Sequence, residues 1–483
     1  METNFCCRTM ATYALIVFTT ILVYWHIDAI PFLYNENLLE TQEKSLSILH
    51  WKALLAKPLL NATFALNDRI SGADPIGYHI FNLILHLLNT FVVYLLAKRF
   101  FKYPAVCAAL FALHPLATAS VSLIFGRSYS LGTFFMLIAL HVYLSAWQKK
   151  QVNMFTVPIL FFLFACMVLS KQTFVFFPFI VFWHLYCFSP VVFFKRSPTF
   201  YTLGYLSAGL TISVAIIFCL HYAIPLSNNA VVNTKTYMLS QLGNIDHLLA
   251  FYLLSFQTAL RHDLPFYEQL NSPSVVLGIV YLSIILGLIF RFRHSNIGFL
   301  MGAMLIALIP TNTIFPKDEV ILEWRLYPSL TFFALLMGNL IFLLHEKFKT
   351  KMKSSRYTLM GGIIILCYLG SFALTIWQQN NTYRSNISAW QAVLSRYPYS
   401  AYVCNNLGAL YFDQGDYFLA ERYFQQAAEI KPLNSVYTLN LARAYHALGE
   451  DTLAQQMLNK GEQLQTQYGS NPMSIYVDNT RLF

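Results

Sequence analysis

His79, Asn82, His86 and Asn89 recur at spacings of three, four and three residues inside one apolar run, so all four fall on a single stripe of a helix. Imidazoles and amides in such a stripe cannot face lipid; they need partners on neighbouring helices or a polar cavity. Interhelical hydrogen bonding is the expected role of Asn82, His86 and Asn89, whereas His79, at the outer end of the run, is placed to meet a ligand. Other apolar runs open or close on polar residues: His114 with Pro115, Arg127 after Gly126, Lys171 after Ser170, and Glu323 with Arg325. Each cation alone reads as interfacial snorkelling. As a set, at one membrane level, they suit an anionic headgroup, because phosphate oxygens gain from charge-assisted bonds in a low dielectric. The expected phosphate-binding residues are therefore His79, His114, Arg127, Lys171 and Arg325, supported by Lys57, Glu323 and Asn82.

A candidate for proton transfer lies in the loop of residues 31–76, where Phe32, Leu33, Tyr34, Asn35, Glu36 and Asn37 follow the first apolar run. Loops this long inside a compact domain are usually functional. The carboxylate of Glu36, set beside a phosphate site, could take the proton of an acceptor hydroxyl.

These residues need a membrane scaffold to position them. Of 483 residues, 57% are hydrophobic and 11% charged, against roughly a quarter charged in soluble domains. With a mean hydropathy of +0.51, the apolar residues cannot all fit in one water-soluble core. A bilayer core of ~30 Å takes ~20 helical residues. Eleven windows meet that need: 10–30, 77–97, 104–124, 129–147, 154–170, 173–191, 200–222, 273–290, 297–315, 326–344 and 357–378. The net charge of +10 falls in short clusters between these windows rather than along one face, which argues against nucleic acid. Alternate connections carry Arg8; Lys98, Arg99 and Lys102; Lys149 and Lys150; Lys195 and Arg196; Arg291 and Arg293; and five cations from Lys347 to Arg356. Those connections are expected on the cytoplasmic side, which puts the N-terminus inside and the C-terminus outside. The first window is expected to stay as an anchor. None of the eight cysteines has zinc-site or disulfide-framework spacing.

After Trp377 the hydropathy drops and a 34-residue period appears: Leu407, Gly408, Tyr411, Gly415, Ala420, Phe424, Ala427 and Pro432 fit the tetratricopeptide pattern, and Leu441, Ala442, Tyr445, Gly449 and Ala454 repeat it. Gly408 and Ala420 let antiparallel helices approach closely while Tyr411 and Phe424 fill the space between them. Trp390 and Pro398 stand 34 residues before Phe424 and Pro432, which predicts a half-repeat helix leading into the unit. So few repeats rarely fold alone, so docking on the membrane part is expected. The unit offers either a groove for a peptide or partner protein, or a cap over the outer loops. The fold class is thus all-α: a polytopic bundle over residues 1–378 followed by a tetratricopeptide solenoid over 379–483.

Taken in order, Asp74-Pro75-Ile76-Gly77-Tyr78-His79-Ile80-Phe81-Asn82 through His86 and Asn89, then Ala112-Leu113-His114-Pro115, Gly126-Arg127, Ser170-Lys171, Glu323-Trp324-Arg325-Leu326-Tyr327-Pro328-Ser329 and the C-terminal repeats resemble the transmembrane and tetratricopeptide-repeat-containing glycosyltransferases. These are GT-C fold enzymes related to protein O-mannosyltransferases, with bacterial relatives. The resemblance implies transfer of a sugar from a polyprenyl-phosphate donor to a Ser or Thr of an acceptor protein on the lumenal or periplasmic side, with the repeats presenting the acceptor. It implies a bacterial inner membrane or the endoplasmic reticulum as the location. No cofactor beyond the lipid-linked donor is implied with certainty, and a divalent metal is left open. The family's acidic pair in the first outer loop aligns with Asn35 and Glu36, expected here as the catalytic pair. Ala117, Ala119, Tyr129 and Gln172 stand where the family has charged or polar residues. The runner-up implication is a catalytically inactive scaffold that keeps the lipid-phosphate pocket and binds protein through its repeats. A transporter is disfavoured because paired glycine-broken spans are missing from the sequence.

Overall fold

The computed structural model describes residues 2–33, 57–149, 155–188, 232–254, 258–312, 319–352 and 355–468. Asn35 and Glu36, the remainder of the 34–56 segment and the window 200–222 lie outside them. The chain divides into two compact units, one formed by residues 1–258 and 265–381, the other by residues 259–264 and 382–483.

The first unit is built from helices α1 (Glu2–Val23), α2 (Pro58–Ser71), α3 (Pro75–Phe100), α4 (Pro104–Ala112), the short α5 (Thr118–Val121), α6 (Arg127–Lys149), α7 (Thr156–Ser170), α8 (Phe177–Phe188), α9 (Thr234–Gly243), α10 (Ile245–Leu253), α11 (Pro273–Arg291), α12 (Asn296–Asn312), α13 (Tyr327–Met352) and α14 (Ser355–Thr382). Proline opens α2, α3, α4 and α11, where the missing N–H costs nothing. Asp74 caps α3 by accepting from the Ile76 N–H at 2.9 Å. Among the described residues six helices are long and apolar enough to cross a membrane, or seven if the bent pair Pro104–Ala112 and Pro115–Val121 counts as one span. Three shorter apolar helices, Thr156–Ser170, Gln172–Phe188 and Asn296–Asn312, occupy three more of the expected windows. Every described window therefore holds an apolar helix. On α11 and α14, large side chains such as Ile284, Ile364 and Leu366 stay exposed, as lipid-facing positions do.

The bend between α4 and α5 follows from His114-Pro115. Proline withholds an N–H, the Pro104–Ala112 and Pro115–Val121 segments meet at 52°, and the His114 ring accepts the Leu116 N–H at 3.2 Å in place of a backbone carbonyl. Gly126 then lets the chain turn back into α6, since a Cβ there would collide with the backbone of Ala119 and Ser120.

The second unit contains α15 (Asn386–Arg396), α16 (Ala401–Asp413), α17 (Tyr417–Ile430), α18 (Ser435–Ala447) and α19 (Asp451–Tyr468). Gly415 and Gly449 adopt φ of 81° and 79° at the two equivalent helix-helix turns, which is why glycine recurs there. Phe424 is fully buried, and a Cβ on Gly408 would sit 2.6 Å from its ring. The close helix approach expected from Gly408 and Phe424 is present. Phe424→Ala is expected to cost about 3–5 kcal/mol, enough to unfold so small a unit, read as loss of protease resistance of the repeat region in the full-length protein.

The segment Ala259–Leu264 belongs to this second unit although the sequence places it in the loop between α10 and α11. Arg261 stacks its guanidinium 3.8 Å from the ring centroid of Tyr402, and His262 Nδ1 is hydrogen-bonded to the Tyr397 hydroxyl at 3.1 Å.

Candidate functional site

The histidine-asparagine stripe of α3 is fully buried. His86 Nε2 donates to the Ala112 carbonyl at 3.1 Å, which leaves Nδ1 to accept from the Tyr327 hydroxyl at 2.7 Å. Asn89 donates to the Ser130 carbonyl at 2.9 Å and to the same Tyr327 oxygen at 3.2 Å. Asn82 donates to the carbonyls of Val121 and Leu123 at 3.3 and 3.4 Å. These three residues therefore join α3 to its neighbours, satisfying groups that lipid could not. His79 Nε2 donates to the Ile30 carbonyl at 3.0 Å, while its Nδ1 is buried with no hydrogen-bond partner among the described residues.

Arg127, at the first position of α6, is fully buried and surrounded by acceptors. Its Nε donates to Asn82 Oδ1 at 2.7 Å, Nη1 to Asn67 Oδ1 at 2.6 Å, and Nη2 to the Tyr78 carbonyl at 3.0 Å. The rings of Phe64 and Phe81 each lie 4.5 Å from the guanidinium carbon. Here a cation is dissolved by amides and aromatic faces and ties α2, α3 and α6 together. His114 is likewise buried, with Nε2 donating to the Tyr252 carbonyl at 3.0 Å. His79 and Arg127 thus share one polar knot with Asn82, while His114 sits apart in the bend beside Phe333 and Phe372.

Lys57, Lys171 and Arg325 group differently. Lys57 precedes Pro58 at the head of α2, and Lys171 ends α7 in extended backbone with φ −158°. The packing of α2 against α7 brings Lys57 within electrostatic reach of Lys171, although 113 residues separate them. Lys171 Nζ lies 5.0 Å from the ring centroid of Tyr129, and Tyr129 is close enough to feel both Lys57 and Arg325. Arg325, in the 3₁₀ turn Glu323–Leu326 that leads into α13, is buried beside the Tyr237 hydroxyl of α9, with Glu319 near the same tyrosine. Arg325 Nη1 has no hydrogen-bond partner among the described residues. Glu323 is buried in the same turn.

The charge of Lys171, and then burial, lower the Lys57 ammonium from its ordinary value to about 8. Burial raises the Tyr237 phenol, with Arg325 pulling the other way. Clustered cations favour an anion, and phenols beside them offer further hydrogen bonds. Tyr129, Tyr237 and Glu319 were not candidates in the sequence. The only signal was Tyr129, standing where the resembled family carries an acid. Among the described residues no group of three or more His, Cys, Asp or Glu could hold a metal ion.

Fold and site define a polytopic helical membrane protein with a cluster of cations, Arg325 buried and Lys57 and Lys171 half-buried, and a C-terminal helical-repeat unit. Residues 56–219 match the family described as dolichyl-phosphate-mannose-protein mannosyltransferase, and residues 401–434 match the tetratricopeptide repeat. The chain is similar to protein O-mannosyl-transferase F38B6.6 of Caenorhabditis elegans, 34% identical over 103 residues that cover 20% of this chain and 14% of that protein. It is also similar to human protein O-mannosyl-transferase TMTC1, 34% identical over 129 residues covering 24% of this chain and 15% of that protein. Protein O-mannosyl-transferase tmtc2 of Xenopus laevis is 38% identical over 85 residues, 17% of this chain and 10% of that protein. The matches span only 10–15% of the length of these three relatives. No solved structure matches the chain. The chain therefore carries a mannosyltransferase-type membrane region followed by a tetratricopeptide repeat, the two features of the family its motifs resemble.

Proposed function

We propose that this protein transfers a sugar from a polyprenyl-phosphate donor to a Ser or Thr hydroxyl of an acceptor protein, on the lumenal or periplasmic side of a bacterial inner membrane or the endoplasmic reticulum. The observation that carries the proposal is the convergence of Lys57, Lys171 and Arg325, from three separate chain segments, around Tyr129 and Tyr237. In an inverting transfer the acceptor oxygen attacks the anomeric carbon while the bond to the phosphate oxygen breaks, and the departing phosphate gains a negative charge. Cations fixed around that oxygen stabilise the charge as it develops, which is differential binding of the transition state. The acceptor proton goes to Glu36, with Asn35 beside it. His79, Asn82, His114 and Arg127 are assigned to holding the helix ends together, and Glu323 to supporting Arg325. The repeat unit is assigned to the acceptor protein, the N-terminus to the cytoplasm and the repeats to the opposite side.

One observation favours a second reading, a binder that no longer transfers sugar. Asn35, Ala117, Ala119, Tyr129 and Gln172 replace residues that are acidic or polar in the resembled family. Incubation of purified full-length protein with polyprenyl-phosphate mannose and acceptor peptides separates the two. Transfer supports the enzyme, and donor binding without transfer supports the binder. Within the first outcome, Glu36→Gln is expected to lower transfer by about 10²–10⁴-fold, with donor affinity retained. Unchanged turnover in this variant would remove Glu36 from the reaction.

A further inference from the structure

Asn312 closes α12 and is 4% exposed, and neither its amide oxygen nor its amide nitrogen has a hydrogen-bond partner among the described residues. An asparagine at a helix end often bonds nearby backbone, and the buried amides of Asn67, Asn82 and Asn89 are all bonded across helices. Leaving both polar atoms of a buried amide unbonded is costly, and an apolar side chain of the same size would escape that cost. A ligand that brings a donor and an acceptor side by side would remove it.

The neighbours of Asn312 place it beside the proposed phosphate site. The Tyr237 hydroxyl of α9 donates at 3.1 Å to the carbonyl of Thr311, the residue before Asn312, and stands next to Arg325. Gln241, one turn further along α9, donates through Nε2 to the Val320 carbonyl at 2.6 Å, and the Glu323–Leu326 turn packs on α12. Helix α9, the end of α12 and the segment that carries Arg325 therefore meet around Tyr237. Two buried groups there lack a partner among the described residues, the Asn312 amide and Arg325 Nη1. The guanidinium suits a phosphate. The amide is neutral and offers a donor and an acceptor together, the complement of two adjacent sugar hydroxyls. We propose that Asn312 binds the sugar of the lipid-linked donor, its oxygen accepting from one ring hydroxyl and its NH2 donating to the next, while the phosphate takes Arg325. The inference rests on the donor reading above and adds the group that tells the sugar-bearing donor from the spent carrier. The bond to be broken joins sugar to phosphate, so a hold on each side of it fixes the anomeric carbon for attack. After transfer the carrier keeps the phosphate contacts and loses those of Asn312, which favours its exchange for a fresh donor.

The test compares wild type with Asn312→Leu, as full-length protein in detergent, by titration with polyprenyl-phosphate mannose and separately with polyprenyl monophosphate. Leucine matches the amide in size and lacks its polar atoms. The variant should bind the mannosyl donor about 10–100-fold more weakly and the bare monophosphate as wild type does. Its unfolding temperature without lipid should equal or exceed that of wild type, because no hydrogen bond is lost. A lower unfolding temperature, equal losses of affinity for the two lipids, or unchanged affinity for the mannosyl donor would each overturn the proposal. Unchanged donor affinity with a raised KM for acceptor peptide would do so by moving Asn312 to the acceptor. Wild-type protein that binds the monophosphate but not the mannosyl donor also overturns it and leaves the phosphate site standing. Failure of wild type to bind either lipid overturns the phosphate-site reading itself.

Discussion

Arg325→Met is expected to weaken binding of polyprenyl phosphate by about 100-fold, because a charge-assisted bond to phosphate in a buried site contributes about 2–4 kcal/mol. Arg325 is 8% exposed, sits against Tyr237, and keeps Nη1 without a hydrogen-bond partner among the described residues. A buried guanidinium nitrogen left in that state is costly unless a ligand completes it. Methionine fills comparable space without charge, so the helices should stay packed. Lys171→Met should act in the same direction. The check is the dissociation constant from titration of full-length protein, alongside thermal unfolding of the same sample. A loss of affinity with an unchanged unfolding temperature fits a ligand-binding cation, whereas a large drop in stability with unchanged affinity would assign Arg325 to the scaffold.

Arg127→Met should do the reverse. Its guanidinium donates to Asn82, Asn67 and the Tyr78 carbonyl and lies between the rings of Phe64 and Phe81. Removing it strands three buried acceptors at the junction of α2, α3 and α6, at a cost of about 3–5 kcal/mol. The expected result is a large fall in unfolding temperature in detergent, with any remaining folded protein binding polyprenyl phosphate normally. Stability equal to wild type would show that the amides of Asn67 and Asn82 find other partners.

The contrast between these two arginines marks what could be read from the sequence. Both stand at the entrance of an apolar run, and both were expected to bind phosphate. Residue type and membrane level do not reveal whether the surroundings already satisfy a guanidinium. Asn67 and Asn82, fifteen residues apart on α2 and α3, meet Arg127 only because those helices pack together. The α3 stripe was legible because its period is local: four polar residues on one face must be bonded across helices, and Tyr327, Ala112 and Ser130 supply the partners. The repeat unit was legible for the same reason, since Gly408, Phe424, Gly415 and Gly449 carry their structural role at a fixed period. Lys57 beside Lys171, and Arg261 on Tyr402, depend on long-range contacts, which no spacing encodes. Glu36 and the window 200–222 lie outside the described residues.

A structure of the full-length protein with polyprenyl phosphate bound tests the account most directly. The phosphate should lie within hydrogen-bond reach of Lys57, Lys171 and Arg325, with the phenols of Tyr129 and Tyr237 beside it. A phosphate seated elsewhere, with those three cations turned to protein partners alone, would contradict it.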